Sequence, residues 1–138
     1  MLQRLKMKLK GVDHITITVS DIEKSLEYYR KLGFEVEFVD KEEGIVRIYH
    51  LKLGNVRIDL KRRGSPKERV GVNHIAFSVD DTDETYKNLT GKGIKFSLKP
   101  YFNASLGRLV ANFEPDPDGV LFQITSHKKG LKDPKPIL

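Results

Sequence analysis

Two stretches of the chain alternate apolar and polar residues in nearly the same words. In "GVDHITITVSD", residues 11–21, Ile15, Ile17 and Val19 fall on one side of an extended strand and His14, Thr16 and Thr18 on the other. In "GVNHIAFSVDD", residues 71–81, Ile75, Phe77 and Val79 oppose His74, Ala76 and Ser78. After each strand the apolar period lengthens to that of a helix. Ser20 or Asp21 can cap "DIEKSLEYYRKLG", whose stripe of Ile22, Leu26 and Tyr29 stops at Gly33. A second helix, about residues 81–92, has a weaker stripe and also stops at a glycine. Three more strands follow in each half. The pattern predicts them at about 34–40, 44–53 and 55–62, with turns at "KEEG" and "LGN", and at about 94–99, 107–114 and 119–126, with a turn at "DPDG". "EPDPDG" lacks the spaced ligands of a calcium loop and reads as a tight turn in which Gly119 takes a positive φ.

The two halves are one phrase repeated. At an offset of 60, Gly11, Val12, His14, Ile15, Val19, Asp21 and Gly33 fall on Gly71, Val72, His74, Ile75, Val79, Asp81 and Gly93 without a gap. The last strands also correspond, "VRIDL" (56–60) over "VLFQI" (120–124), at an offset of 64. A four-residue insertion therefore lies between, and "KPYFNASLG" is its expected place. The prediction is an α+β fold of two tandem βαβββ modules, forming a pseudo-twofold curved mixed sheet around a shared cleft. Its expected segments are a basic N-terminal extension (1–10), a first module (11–63), a linker (64–70), a second module (71–126) and a basic C-terminal tail (127–138).

The same alternation selects four residues for the face away from the helices: His14, Asp59, His74 and Gln123. Asp59 lies between Ile58 and Leu60, and Gln123 between Phe122 and Ile124. Singly, each is an ordinary polar residue on a strand. As a symmetric set, two imidazoles, a carboxylate and an amide can surround a divalent ion such as Ni, Co, Zn, Mn or Fe. Four protein ligands leave one or two positions for water or substrate, the form of a catalytic site.

Composition changes this picture little. The chain has 138 residues, 38% hydrophobic, and no cysteine, so thiolate metal sites and disulfides are excluded. The net charge of +6 suggests a nucleic-acid partner, but eight of the 25 basic side chains lie in the two ends, Arg4, Lys6, Lys8 and Lys10 with Lys128, Lys129, Lys132 and Lys135. The body between them is close to neutral, so no specific nucleic-acid surface is expected. No apolar run reaches the roughly 20 residues of a membrane helix, and "MLQRLKMKLK" lacks the apolar core of a signal peptide. A cytoplasmic protein without membrane contact is expected.

Paired βαβββ modules with a histidine in each first strand resemble the vicinal oxygen chelate superfamily, which includes glyoxalase I, bleomycin and fosfomycin resistance proteins, methylmalonyl-CoA epimerase and extradiol dioxygenases. The resemblance covers residues 11–126, and "DHITITVSDIEKSLEYYRKLGFE", "NHIAFSVDD" and "VANFEPDPDGVLFQI" carry it. It implies metal ligands from the first and fourth strands of each module: His14, Asp59, His74 and Gln123. It also implies a homodimer and a small-molecule substrate held through adjacent oxygens at the metal, which acts as a Lewis acid. Three departures matter. The last ligand is usually Glu and is Gln123 here; the first module's acidic ligand is usually Glu or Gln and is the shorter Asp59. Glutathione-using relatives often place Arg where this chain has Thr18.

Gln123 cannot take a proton, so Asp59 is the expected catalytic base of the set. The reading is a glyoxalase-like lyase or isomerase, of lactoylglutathione lyase type with an altered ligand set. Two alternatives stay open: a metal-free ligand-binding protein of the bleomycin-resistance kind, and an Fe(II) dioxygenase of extradiol type. Whether the site lies within one chain or across a dimer is open too. Arg47, Tyr49 and Arg57, with Lys61 in phase with Asp59, are expected to receive an anionic substrate. Tyr101 and Phe102, in the expected loop "PYFNASLGR", and Asn112 join them.

Overall fold

Each first strand puts its apolar side under a helix, and the following strands are laid down to match. A computed structural model describes residues 8–104 and 106–127. Apart from Lys8 and Lys10, the lysines and arginine named in the two ends lie outside the described residues. The elements are β1 (Gly11–Val19), α1 (Ile22–Lys31), β2 (Glu35–Glu42), β3 (Ile45–Leu53), β4 (Val56–Arg62), β5 (Gly71–Ser78), α2 (Thr82–Gly91), β6 (Phe96–Asn103), β7 (Arg108–Phe113) and β8 (Phe122–His127). The order βαβββ, twice, is the α+β order that the sequence predicts. The chain divides into two compact units, one of His14–Asn73 and one of residues 8–13 with 74–127 among those described. No helix of the described residues is long and apolar enough to cross a membrane.

In the first unit the strands lie in the order β2-β3-β4-β1, with β1 parallel to β4 and the other pairs antiparallel. Val19, Ile22, Leu26, Phe34, Leu51 and Leu60 form its core, with Tyr29 packed against it. Burial of this stripe holds α1 to the sheet, each large side chain contributing about 1.5–3 kcal/mol. Asp21 caps the helix, its carboxylate accepting from the Lys24 N–H at 3.1 Å. The far end closes with the Phe34 N–H on the Tyr29 carbonyl and the Gly33 N–H on the Arg30 carbonyl. That closure needs Gly33 at φ +106°, which explains why the sequence repeats its glycine.

The second unit repeats the plan in the order β5-β8-β7-β6, with β5 parallel to β8. Helix α2 ends in the same closure at Gly93. Its core is smaller: Val79, Ala111 and Ile124, flanked by Phe77, Phe96 and Phe113. The buried face of α2 carries Thr82 and Thr85, both fully buried. The Thr82 N–H donates to Ser126 Oγ at 3.1 Å, and the Thr82 hydroxyl donates to the Leu109 carbonyl at 3.1 Å. The two hydroxyl oxygens are 2.6 Å apart. Where α1 is held by a large apolar core, the start of α2 is held by the Thr82–Ser126 pair, and Tyr86 packs edge-on against Phe96. Residues of β1 counted in this unit are tied to it by Lys10, whose N–H meets the Ser78 carbonyl and whose ammonium meets Asp80, and by Asp13, which pairs with Arg108 at 2.7 Å.

Two expectations change. The stretch expected as the loop "PYFNASLGR" is strand as far as Asn103, with a turn after it. Pro100 is tolerated because β6 is the last strand of its unit and pairs with β7 alone. The register breaks before it, between Phe96 and Leu98, and again across it, between Leu98 and Tyr101. Strand β8 begins at Phe122 rather than near 119. The Asp116 carboxylate accepts from the N–H groups of Asp118 and Val120, at 2.9 and 2.8 Å, and holds 116–120 in a turn.

Candidate functional site

The tight connection at Gly54–Asn55 sets what faces Asp59. Leu53 pairs with Val56 across it, so counting back along the hairpin brings His50 opposite Asp59. The two side chains meet: His50 Nδ1 is 2.8 Å from Asp59 Oδ1. On the other flank β1 brings His14, whose Nε2 is 3.6 Å from Asp59 Oδ2. His14 and Asp59 thus share the face opposite the core, because Thr16 lies beside Asp59 while Ile17 lies beside the core residue Leu60. Phe38, paired with His50 across β2 and β3, stacks on its ring with centroids 3.9 Å apart and planes 16° from parallel.

The sequence reading passes over His50, although the signal for it is present. A two-residue turn at "GN" fixes the hairpin register by arithmetic alone. That register also moves Tyr49. It pairs with Leu60, packs against the core and donates its hydroxyl to Glu23 of α1 at 2.7 Å. Tyr49 is therefore on the helix side and not beside Asp59. Burial, then the bond to Glu23, raises its phenol above the ordinary tyrosine range. Arg47 sits at a register break, between Asp40↔Ile48 and Lys41↔Val46, so strict alternation does not carry through it. Its Nε lies 3.4 Å from Glu42.

Arg57 and Lys61, the cations in phase with Asp59, already have partners. Arg57 donates to Glu37 at 3.0 Å and Lys61 to Glu68 at 2.8 Å. The Lys61 bond, with the Gly64 N–H, holds the Glu68 carboxyl below the usual range.

In the second unit Gln123 lies beside Ala76 on β5 and opposite Asn112 on β7. Ile124, next to it, is in the core, so Gln123 and Asn112 face away from α2. Tyr101 donates to Asn112 Oδ1 at 3.4 Å, a long bond, and burial raises its phenol. Phe102 pairs with Leu109 and is exposed on the opposite phase from Tyr101. His74 is half-buried on β5, two residues before Ala76.

Whether these donors suit a metal ion is a matter of distance and chemistry. Two ligands about 2.1 Å from one ion at a tetrahedral angle stand about 3.4 Å apart. The 3.6 Å between His14 Nε2 and Asp59 Oδ2 is close to that and too long for a hydrogen bond. An imidazole and a carboxylate suit a borderline divalent ion. This pair fits. Among the described residues, no group of three or more His, Asp and Glu side chains is arranged to hold an ion.

The model of the glyoxalase/bleomycin resistance protein/dioxygenase superfamily matches residues 11–124. The chain belongs to this superfamily. Among curated relatives, the uncharacterized protein YraH of Bacillus subtilis is 30% identical over 123 residues, covering 80% of this chain and 93% of its own. The metallothiol transferase FosB of Staphylococcus haemolyticus is 34% identical over 79 residues, 54% of this chain and 53% of its own. Among solved structures, methylmalonyl-CoA epimerase in complex with methylmalonyl-CoA and NH4+ superposes with a TM-score of 0.74 at 26% identity, over 92% of this chain and all of that one. A Streptomyces coelicolor methylmalonyl-CoA epimerase variant with 2-nitronate-propionyl-CoA gives 0.73 at 27%, over 87% and 99%. Members of this superfamily thus include enzymes with small-molecule substrates.

Proposed function

We propose that this member of the superfamily is a divalent-metal-dependent isomerase or lyase acting on a small oxygenated substrate. The observation that carries the reading is the pair His14–Asp59, set 3.6 Å apart on the face opposite the core. The proposed ligands are His14 and Asp59 with His74 and Gln123, their counterparts in the repeat. Bound there, the ion would act as a Lewis acid toward substrate oxygens. The chain's own groups divide the remaining work. Asp59 is the one carboxylate of the set and, with the imidazoles held as ligands, its base, while Gln123 contributes only a neutral oxygen. A mechanism with a carboxylate on each side of the reacting carbon is therefore not available to this ligand set. The likeness to epimerase structures supports an isomerase, and the likeness to a metallothiol transferase supports metal dependence. Arg57 and Lys61, each already ion-paired, make a weaker anion clamp than their charges suggest.

One observation favours a second reading, a metal-free ligand-binding protein: Asp59 Oδ1 is already engaged by His50. Elemental analysis of untagged protein, prepared without chelator, decides between them. A near-stoichiometric divalent metal, lost in both His14→Ala and His74→Ala, is the expected result. No metal in the purified protein, and none regained on titration, would refute the enzyme reading.

A further inference from the structure

Three features of His50 have no role in the site as the repeat defines it. It is 5% exposed, so water does not solvate it. Its Nδ1 is 2.8 Å from Asp59 Oδ1. Its Nε2 is buried without a hydrogen-bond partner. Together they select one tautomer. With the proton on Nε2, a bare Nδ1 lone pair would face a carboxylate oxygen, and the buried N–H would have no acceptor. Each of those leaves a buried polar group unsatisfied or opposed, which disfavours that tautomer. With the proton on Nδ1, the ring donates to Asp59 and only a lone pair is left unused. Phe38, stacked at 3.9 Å, holds the ring in the plane that this bond needs.

We propose that His50 is a positioning residue for Asp59: its Nδ1–H binds Oδ1 and so leaves Oδ2 as the oxygen presented beside His14 Nε2. The proposal rests on the reading of Asp59 as a ligand. It adds that this carboxylate acts through one oxygen and that its orientation is set from β3. The repeat could not supply such a residue by symmetry. The corresponding partner of Gln123 is Asn112, which lies opposite it in register as His50 lies opposite Asp59.

The test has two arms on the full chain. The first reads the ring directly, by long-range proton–nitrogen correlation spectra of the metal-free protein. The expected signature is a protonated Nδ1 and an unprotonated Nε2 for His50, lost in Asp59→Ala. A ring protonated on Nε2 alone, with a bare Nδ1, overturns the proposal. The second arm titrates Zn²⁺ alone into His50→Asn and His50→Gln. Both lose the stack on Phe38, but only Asn keeps an N–H donor where Nδ1 stood. The Asn variant should stay within about 3-fold of the parent and the Gln variant should weaken about 10–100-fold, the usual range for losing an outer partner of a ligand. Equal loss in the two overturns the proposal, since it reports packing alone. If the parent takes up no Zn²⁺ while His50 shows the Nδ1–H signature, the metal reading falls and the positioning of Asp59 stands.

Discussion

Replacing Ser126 by Ala should destabilise the protein without opening a cavity, because the change removes one oxygen and keeps the carbon. Ser126 is buried, and its hydroxyl oxygen is the acceptor for the Thr82 N–H, the first amide of α2. Thr82 is 0% exposed, so no water replaces the lost acceptor. The Thr82 hydroxyl keeps the Leu109 carbonyl as its own acceptor. The cost is thus that of one buried amide left unpaired, about 1–3 kcal/mol. For a chain of this size that corresponds to a fall in melting temperature of roughly 3–10 °C. Urea and thermal unfolding followed by circular dichroism give the difference, and faster exchange of the Thr82 amide locates it. The corresponding position in the first unit is Ile22, 1% exposed in an apolar core, where no hydroxyl is needed. A change below about 0.5 kcal/mol, within the range of ordinary surface substitutions, would refute the view that hydroxyl pairing holds α2 in place.

Leu60→Ala, at a fully buried position of the first core, should cost about 2–5 kcal/mol in the same unfolding assay. Asp21→Ala should cost about 1 kcal/mol, the usual value of an N-cap, with Asp81→Ala similar because Asp81 caps α2 through the Glu84 N–H at 3.0 Å. The Tyr49 phenol, raised first by burial and then by its bond to Glu23, holds its proton more tightly folded than unfolded. Its contribution to stability is therefore complete below the ordinary tyrosine value near 10 and is lost as the pH rises through the folded value. The alkaline fall in stability should be smaller in Tyr49→Phe, read by unfolding at pH values on either side of 10.

One pair of the candidate site is legible in the sequence. The alternation of β1 and β4 put His14 and Asp59 on the same side, and the structure has them 3.6 Å apart on the face opposite the core. Alternation works there because these strands pair in unbroken register. It does not place Tyr49, whose phase relative to Asp59 is set by the turn between β3 and β4 and puts it opposite Leu60. At Arg47 it had nothing to say, since a bulge resets the phase. The loop expected around Pro100 is strand, because proline's missing N–H costs nothing on the open side of the last strand.

The sequence by itself determined the two βαβββ units, the glycines that end their helices and the faces of their first strands. These follow from local periodicity and backbone sterics, which each residue carries with it. Tertiary structure alone decided the ion pairs that occupy Arg57 and Lys61, the stacking of Phe38 on His50, and the hydroxyl pair between α2 and β8. Each joins residues of separate elements or of a strand and a loop, at separations fixed by register and packing. A polar side chain has many possible partners along a chain, and which one it meets depends on where the folded backbone brings them together.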